Sequence, residues 1–244
     1  MKQLLVNSSL GRAAYRLWWE RKYGVSADDV FLVSYPRSGN TWVRFMLLQA
    51  RPGFRESDFN RIEEIIPDMH GPLPWFQCSR ANVVKSHLTY WQPFRRVIYL
   101  VRDGRPATYS NWVYQCAEGS FSGSFDEFLR KSHWPCSWSD HVTGWVRAPE
   151  TKLIVRYEDL VEDTVGQLER ILNGIGWSVS RDRAAQIVAN STKEKMREFE
   201  RENAVRLHRV GDVATGRWRQ GFNEQNMKLF ADGLNPVSAR YLKG

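Results

Sequence analysis

The sequence predicts an α/β fold: one domain, residues 1–244, with a central, mainly parallel sheet flanked by helices. Three observations predict it. Four short apolar runs rich in Val and Ile stand apart along the chain, helical patterns follow three of them, and 244 residues at 42% hydrophobic can close one full core. The runs are residues 30–35, 82–87, 96–101 and 152–157. They are near-continuously apolar rather than alternating, which is how strands covered on both faces read. The helical patterns span residues 40–49, 106–115 and 164–173. Strand and helix in alternation make parallel pairs joined by right-handed crossovers. Ligands of such sheets bind beyond the carboxyl ends of the strands. The chemistry is therefore expected just after Tyr35, His87, Val101 and Tyr157.

Composition narrows the class of protein. Eleven Trp, 12 Phe and 9 Tyr supply ample surface to bury, so disorder is excluded as the overall state. Lys and Arg number 35 against 27 Asp and Glu, a net charge of +8 that favours an anionic partner without choosing one. Cys78, Cys116 and Cys136 are an odd number without metal-ligand spacing, so neither a disulfide framework nor a metal centre is expected. The first residues lack the apolar core of a signal peptide, and no stretch approaches the ~20 apolar residues of a membrane span. The expectation is a cytoplasmic protein without integral membrane association. Residues 12–22 carry Tyr15, Leu17, Trp18 and Trp19 among arginines and a lysine. A surface helix with one face on the core is preferred there to a helix lying on a membrane.

The loop after the first run, Tyr35-Pro36-Arg37-Ser38-Gly39-Asn40-Thr41-Trp42, joins a buried strand to a helix. Gly39 allows backbone angles closed to other residues. Ser38, Asn40 and Thr41 offer side-chain hydrogen bonds, and the next helix aims unpaired N–H groups into the loop, a geometry that holds a phosphate or sulfate. A Walker A lysine is missing, so the loop is only P-loop-like. An ordinary capped turn has the same composition.

Three further stretches follow in order: Val83-Val84-Lys85-Ser86-His87-Leu88, residues 102–110 with Arg102 and Ser110 eight apart, and Arg156-Tyr157-Glu158-Asp159-Leu160. Residues 211–218 then carry glycines and end on Trp218. Together with the loop, this ordered set resembles the sulfotransferase family that uses 3′-phosphoadenosine 5′-phosphosulfate (PAPS), over roughly residues 28–222. The resemblance implies transfer of a sulfuryl group to a hydroxyl or amine of a small molecule, with adenosine 3′,5′-bisphosphate (PAP) as the spent donor and no metal. It implies His87 as general base, with Lys85 two residues before it on the same face of the strand. Arg37 stands where the best-known members carry Lys. It stabilises charge on the leaving oxygen but does not donate a proton, and Lys85 is the candidate to share that work. The phosphosulfate loop is Arg37, Ser38, Gly39, Asn40 and Thr41. Arg102, Ser110 and Arg209, with the backbone at Val210 and Gly211, are expected on the 3′-phosphate. Trp42, Tyr157, Ser191 and Thr192 are expected around adenine, with Lys193 where the family places an aromatic.

The acceptor side is less determined. Residues 111–146 hold Trp112, Tyr114, Phe121, Phe125, Phe128, Trp134, Trp138 and Trp145, which suit either a hydrophobic pocket or the core. His141 is a further candidate for that pocket. Two other functions compete with transfer: a P-loop-like nucleotide kinase, which lacks its lysine, and a basic nucleic-acid-binding module. The arginines of residues 181–209 are interleaved with Glu194, Glu198, Glu200 and Glu202, which reads as a solvated helix rather than a nucleic-acid face.

Overall fold

The computed structural model describes residues 9–71, 73–78, 82–90, 94–131, 134–203 and 218–243. In chain order the elements are α1 (Ser9–Tyr23), β1 (Val30–Ser34), α2 (Asn40–Ala50), α3 (Ile62–Ile65), β2 (Val83–Ser86), β3 (Arg96–Val101) and α4 (Gly104–Ala117). There follow α5 (Phe125–Arg130), α6 (Trp138–Arg147), β4 (Thr151–Arg156), α7 (Tyr157–Glu162), α8 (Thr164–Ile175), α9 (Arg181–Ala189) and α10 (Lys193–Asn203). The chain closes with α11 (Trp218–Gly221), α12 (Glu224–Asp232) and α13 (Pro236–Ala239).

The four strands form one sheet in the order β2-β1-β3-β4, parallel throughout. β1 lies between β2 and β3, with Val33 opposite both Ser86 and Tyr99. The chain leaves β1 for one neighbour and later returns to the other, and this switch opens a crevice beyond the carboxyl ends. The loop after β1 thus falls between the ends of β2 and β3.

Alternate residues of β1 enter two different cores. Val30 and Leu32 pack with Phe45, Leu47 and Leu48 of α2 and with Leu168, Ile171 and Leu172 of α8. Phe31, Val33 and Tyr35 pack on the opposite face with Trp19, Trp75, Phe94, Trp138 and Trp145. Phe31 stacks on Phe94 with ring centroids 3.8 Å apart, and Phe94 stacks in turn on Trp145 at 5.7 Å. Each such ring taken from water stabilises the fold by about 1.5–3 kcal/mol. Burial on both faces is the reason β1 and β3 read as nearly unbroken apolar runs.

The strands differ from the sequence reading at their ends, and the short helices α3, α5, α7, α11, α12 and α13 carry no helical pattern in it. β1 stops at Ser34, β2 at Ser86 and β4 at Arg156, which leaves Tyr35, His87 and Tyr157 one step beyond the pairing. β4 is an edge strand with mostly half-exposed residues, so its face toward solvent tolerates Lys152. α4 begins at Gly104 because Asp103 accepts the Arg105 N–H at 2.9 Å, and Pro106 stays within the first turn. α6 was unmarked because its aromatics read equally as pocket wall. The helix at residues 9–23 does set one face on the core, through Trp19 against Phe31, Trp75 and Phe94, while Leu17 and Trp18 are exposed. Among the described residues no helix is long and apolar enough to cross a membrane.

Candidate active site

The loop after β1 is bent by two residues with positive φ, Arg37 at 66° and Gly39 at 93°. Gly39 caps α2 in the left-handed region and brings no side chain to the first N–H groups of the helix. A Cβ at Gly39 would come 2.7 Å from Tyr157 Cδ2, so glycine is required both by φ and by the ring packed on it. Between the two, Ser38 is buried, and its Oγ has no hydrogen-bond partner among the described residues. Asn40 donates to Leu32 O and to Ser34 Oγ, each at 3.1 Å, while its buried Oδ1 is likewise unsatisfied among the described residues. Buried polar atoms are ordinarily paired, because leaving one unpaired costs about 1–3 kcal/mol. An uncovered hydroxyl beside a helix start fits an anion's oxygens.

The segment after β3 meets this loop directly. Arg102 Nη1 donates to Arg37 O at 2.9 Å, and its guanidinium lies over the Tyr157 ring at 4.5 Å. Arg37 Nε donates to Ser110 Oγ at 3.1 Å, with the guanidinium 5.4 Å from the Tyr114 ring. Arg37, Arg102 and Ser110, 73 positions apart at the extremes, therefore converge. Thr108, two residues before Ser110 and so on a different side of α4, is buried beside the Tyr35 hydroxyl. Glu158 Oε1 accepts from Asp103 N–H at 3.1 Å and ties the start of α7 to the start of α4. This donor set, two guanidiniums with the Ser110 hydroxyl and the unsatisfied Ser38 hydroxyl at a helix start, fits a nucleotide carrying anionic groups at two places. Arg209, Val210 and Gly211 lie outside the described residues.

Trp42 and Tyr157 stand edge to face at 6.3 Å. Trp42 Nε1 donates to Ser191 O at 2.8 Å. The Ser191 hydroxyl is itself buried, accepting from Gln49 Nε2 at 2.8 Å and donating to Ile187 O at 2.7 Å. Ser191 thus holds Trp42 in place through its backbone. Thr192 is exposed and accepts the Lys195 N–H at 3.3 Å as the cap of α10. Thr41 is half-buried and Lys193 exposed at the same end of the sheet.

His87 follows β2. Its Nδ1–H donates to Ser34 O at 2.7 Å, which leaves Nε2 as the unprotonated nitrogen. Burial pushes its pKa down to about 3, helped by the neighbouring Lys85 and opposed by Asp68 and the Ser34 bond. The imidazole is neutral across the physiological range, the form a proton acceptor needs. Lys85 does not turn to solvent: it is 5% exposed, and its ammonium donates to Asp68 Oδ2. That ammonium is the chief attraction holding the Asp68 carboxyl well below the usual carboxylate range, against the cost of burial. His70 is exposed beside them, and its Nε2 accepts the His87 backbone N–H at 3.4 Å.

The aromatic segment divides. Phe125, Phe128, Trp138 and Trp145 are core. Trp134 is 47% exposed and stands edge-on to His70 at 4.9 Å and to His87 at 6.0 Å. Tyr114, Trp112 and Phe121 are half-buried. His141 is 0% exposed, which removes it from any open pocket wall. It accepts from Tyr99 OH at 2.9 Å and donates through Nε2 to His87 O at 3.2 Å. Trp145 Nε1 donates to Leu88 O at 2.8 Å and Trp138 Nε1 to Arg102 O at 3.1 Å, so one face of α6 pins the ends of both β2 and β3.

Comparison with known proteins bears on the fold and the family. The family described as the sulfotransferase domain matches residues 27–236. Human sulfotransferase 2B1 is 26% identical over 253 residues, covering 86% of this chain; the chain spans 66% of that protein's length. Mouse sulfotransferase SULT7A1 complexed with PAP superposes with a TM-score of 0.63 at 21% identity, covering 85% of this chain and 83% of that one. Retinol dehydratase, solved with androsterone and the inactive cofactor PAP, gives 0.65 at 18% identity, covering 91% and 83%. The domain match takes in the whole sheet and every described residue of the site, and the chain belongs to the sulfotransferase domain family.

Proposed function

We propose that this protein is a PAPS-dependent sulfotransferase, with His87 as the general base and a small molecule bearing a hydroxyl or amine as acceptor. The observation that carries the reading is the junction of the two halves of the site. The base is tied to the end of β1 through Ser34 O at 2.7 Å, and the loop that begins one residue later reaches Ser110 and Arg102. PAPS supplies an activated sulfuryl group whose departing 5′-phosphate takes the bonding electrons. Everything else falls to this chain.

His87 Nε2 accepts the acceptor's proton as its oxygen or nitrogen attacks sulfur. The neutral imidazole needs no prior deprotonation at neutral pH. Arg37, the α2 N-terminus and Ser38 hold the charge that develops on the leaving side, and Arg37 never releases its proton. Arg102, Ser110 and, on sequence alone, Arg209 with the backbone of Val210 and Gly211 take the 3′-phosphate. Trp42 and Tyr157 wall the adenine, with Ser191 and Thr192 behind. Trp134 and His70 form the acceptor side, where an exposed indole edge favours a flat or hydrophobic molecule. The steroid and the retinol named with retinol dehydratase are acceptor-sized molecules of that kind. Three scattered cysteines in 244 residues, too few for a disulfide framework, are in keeping with a cytoplasmic setting.

A thermal-shift titration tests the reading. PAP is expected to raise Tm without metal, since a ligand that prefers the native state stabilises it. Stabilisation by ATP and Mg²⁺ alone would favour the kinase. Binding to duplex DNA with a steep salt slope, and no response to PAP, would favour the nucleic-acid module. Labelled PAPS with a panel of phenols, alcohols and amines then identifies the acceptor.

A further inference from the structure

We propose that Asp68 is the positioning residue that aims Lys85 at the sulfuryl group of PAPS, a role that rests on the end of β2 being the transfer site. Asp68 lies in a loop, yet it is placed as if it were a strand. The Lys85 N–H donates to Pro67 O at 2.9 Å and the Met69 N–H to Lys85 O at 3.0 Å, which makes a parallel bridge between Asp68 and Lys85 on the outer edge of the sheet. Bridged residues of parallel strands turn their side chains to the same face. The carboxylate therefore meets the ammonium on the face of β2 that, two residues later, carries His87.

The carboxylate also orders the base. Asp68 Oδ1 accepts the His70 N–H at 3.0 Å, and this turn sets the His70 ring where it accepts the His87 backbone N–H. One buried group thus fixes the lysine and braces the backbone of the histidine. Arg44 does not compete for it. That guanidinium donates to Ile62 O at 2.9 Å, to Ile66 O, and to Glu63 at 2.7 Å.

Stability does not account for the pair. Asp68 and Lys85 are both 5% exposed, and two apolar side chains of equal volume would fill the space without the desolvation penalty of two charges. Charge accounts for it better. Lys85 without a counter-ion would sit as a bare positive charge next to the imidazole, whereas the pair is neutral before the donor arrives. Among the described residues Lys85 Nζ has one hydrogen-bond partner, Asp68, and an ammonium carries three protons. Two protons are left to point at oxygens that PAPS has and PAP lacks, those of the sulfuryl group.

Calorimetry with the full chain, titrating PAPS and PAP separately in the absence of acceptor, tests this. Asp68→Asn is expected to weaken PAPS about tenfold or more while PAP changes by less than about twofold, the size of one charge-assisted contact. Lys85→Met is expected to show the same split, Asp68→Glu to recover part of it, and the double variant to bind PAPS within about twofold of Lys85→Met alone. Equal weakening of PAPS and PAP by Asp68→Asn marks a merely structural group and overturns the proposal. So does a Lys85→Met protein that binds PAPS like the wild type, or a further tenfold loss in the double variant. Should Asp68→Asn fail to fold with its lysine stranded, the comparison of Lys85→Met with the uncharged double variant decides in the same terms. His87→Ala is the separate control: if it retains sulfuryl transfer, the transfer-site reading fails whatever Asp68 does.

Discussion

His87 donates its Nδ1 proton to the backbone carbonyl of Ser34, the last residue of β1, at 2.7 Å. The partner is part of the sheet rather than a side chain, so the ring is held by the same strand that launches the anion loop. Replacing His87 by Ala is expected to lower kcat about 10²–10⁴-fold while PAP still raises Tm. Burial holds the imidazole pKa near 3, so its neutral form prevails at every pH above that. The free enzyme's kcat/KM should show no His87 inflection between about pH 5 and 8. A limb near 6.5 that vanishes in His87→Gln would contradict this placement.

Ser38→Ala separates function from stability. The hydroxyl is buried with no partner among the described residues, so removing it deletes a polar atom that the fold does not use. Tm is expected to stay level or rise by about a degree, because an unsatisfied buried group is itself a cost. PAP affinity is expected to fall about 5–10-fold, the worth of one hydrogen bond to a charged oxygen. A loss of Tm with unchanged PAP binding would show that Ser38 serves the fold instead.

Gly39→Ala should be much harsher than the same change at Gly24. Both have positive φ, but a Cβ at Gly24 meets nothing within 4 Å, whereas at Gly39 it meets the Tyr157 ring at 2.7 Å. Gly24→Ala is expected to cost about 1 kcal/mol of stability and leave PAP binding alone. Gly39→Ala must push Tyr157 aside, and with it the surface on which Arg102 rests. PAP binding measured by calorimetry is expected to drop more than about tenfold.

Most of the architecture was legible in the sequence because both faces of the sheet are covered, which leaves continuous Val and Ile runs with no competing helical period. The loop after β1 was legible for a similar reason: positive φ at Gly39 and the short polar residues around it are local requirements. What stayed hidden depends on distant neighbours. Asp68 is an ordinary loop aspartate until the Pro67–Lys85 hydrogen bond places it against a buried lysine. The spacing of Ser191 does not show that its hydroxyl bonds Gln49, 142 positions away, or that its carbonyl holds Trp42. In each case the role follows from which chain segments meet, a property that neither spacing nor composition encodes.

His141 gives the fold a pH dependence of known sign. The ring is fully buried, and burial brings its pKa down to about 4, against about 6.5 in the unfolded chain. Between those values the unfolded chain binds a proton that the native protein does not. Stability is therefore complete above about pH 6.5 and is lost as pH falls through 4, by at most about 3 kcal/mol from this group. His87 acts with the same sign. Asp68 contributes a separate loss below about pH 4, where its native-state carboxylate must be protonated to match the unfolded chain. His141→Gln retains an N–H donor for His87 O and an oxygen to accept from Tyr99, but does not titrate. The expected outcome is that Tm of the wild type falls between about pH 6.5 and 4.5 and that His141→Gln flattens this slope while the loss below pH 4 persists. If the variant's Tm declined as steeply as the wild type's over the upper range, the His141 imidazole would not be a source of the acid sensitivity.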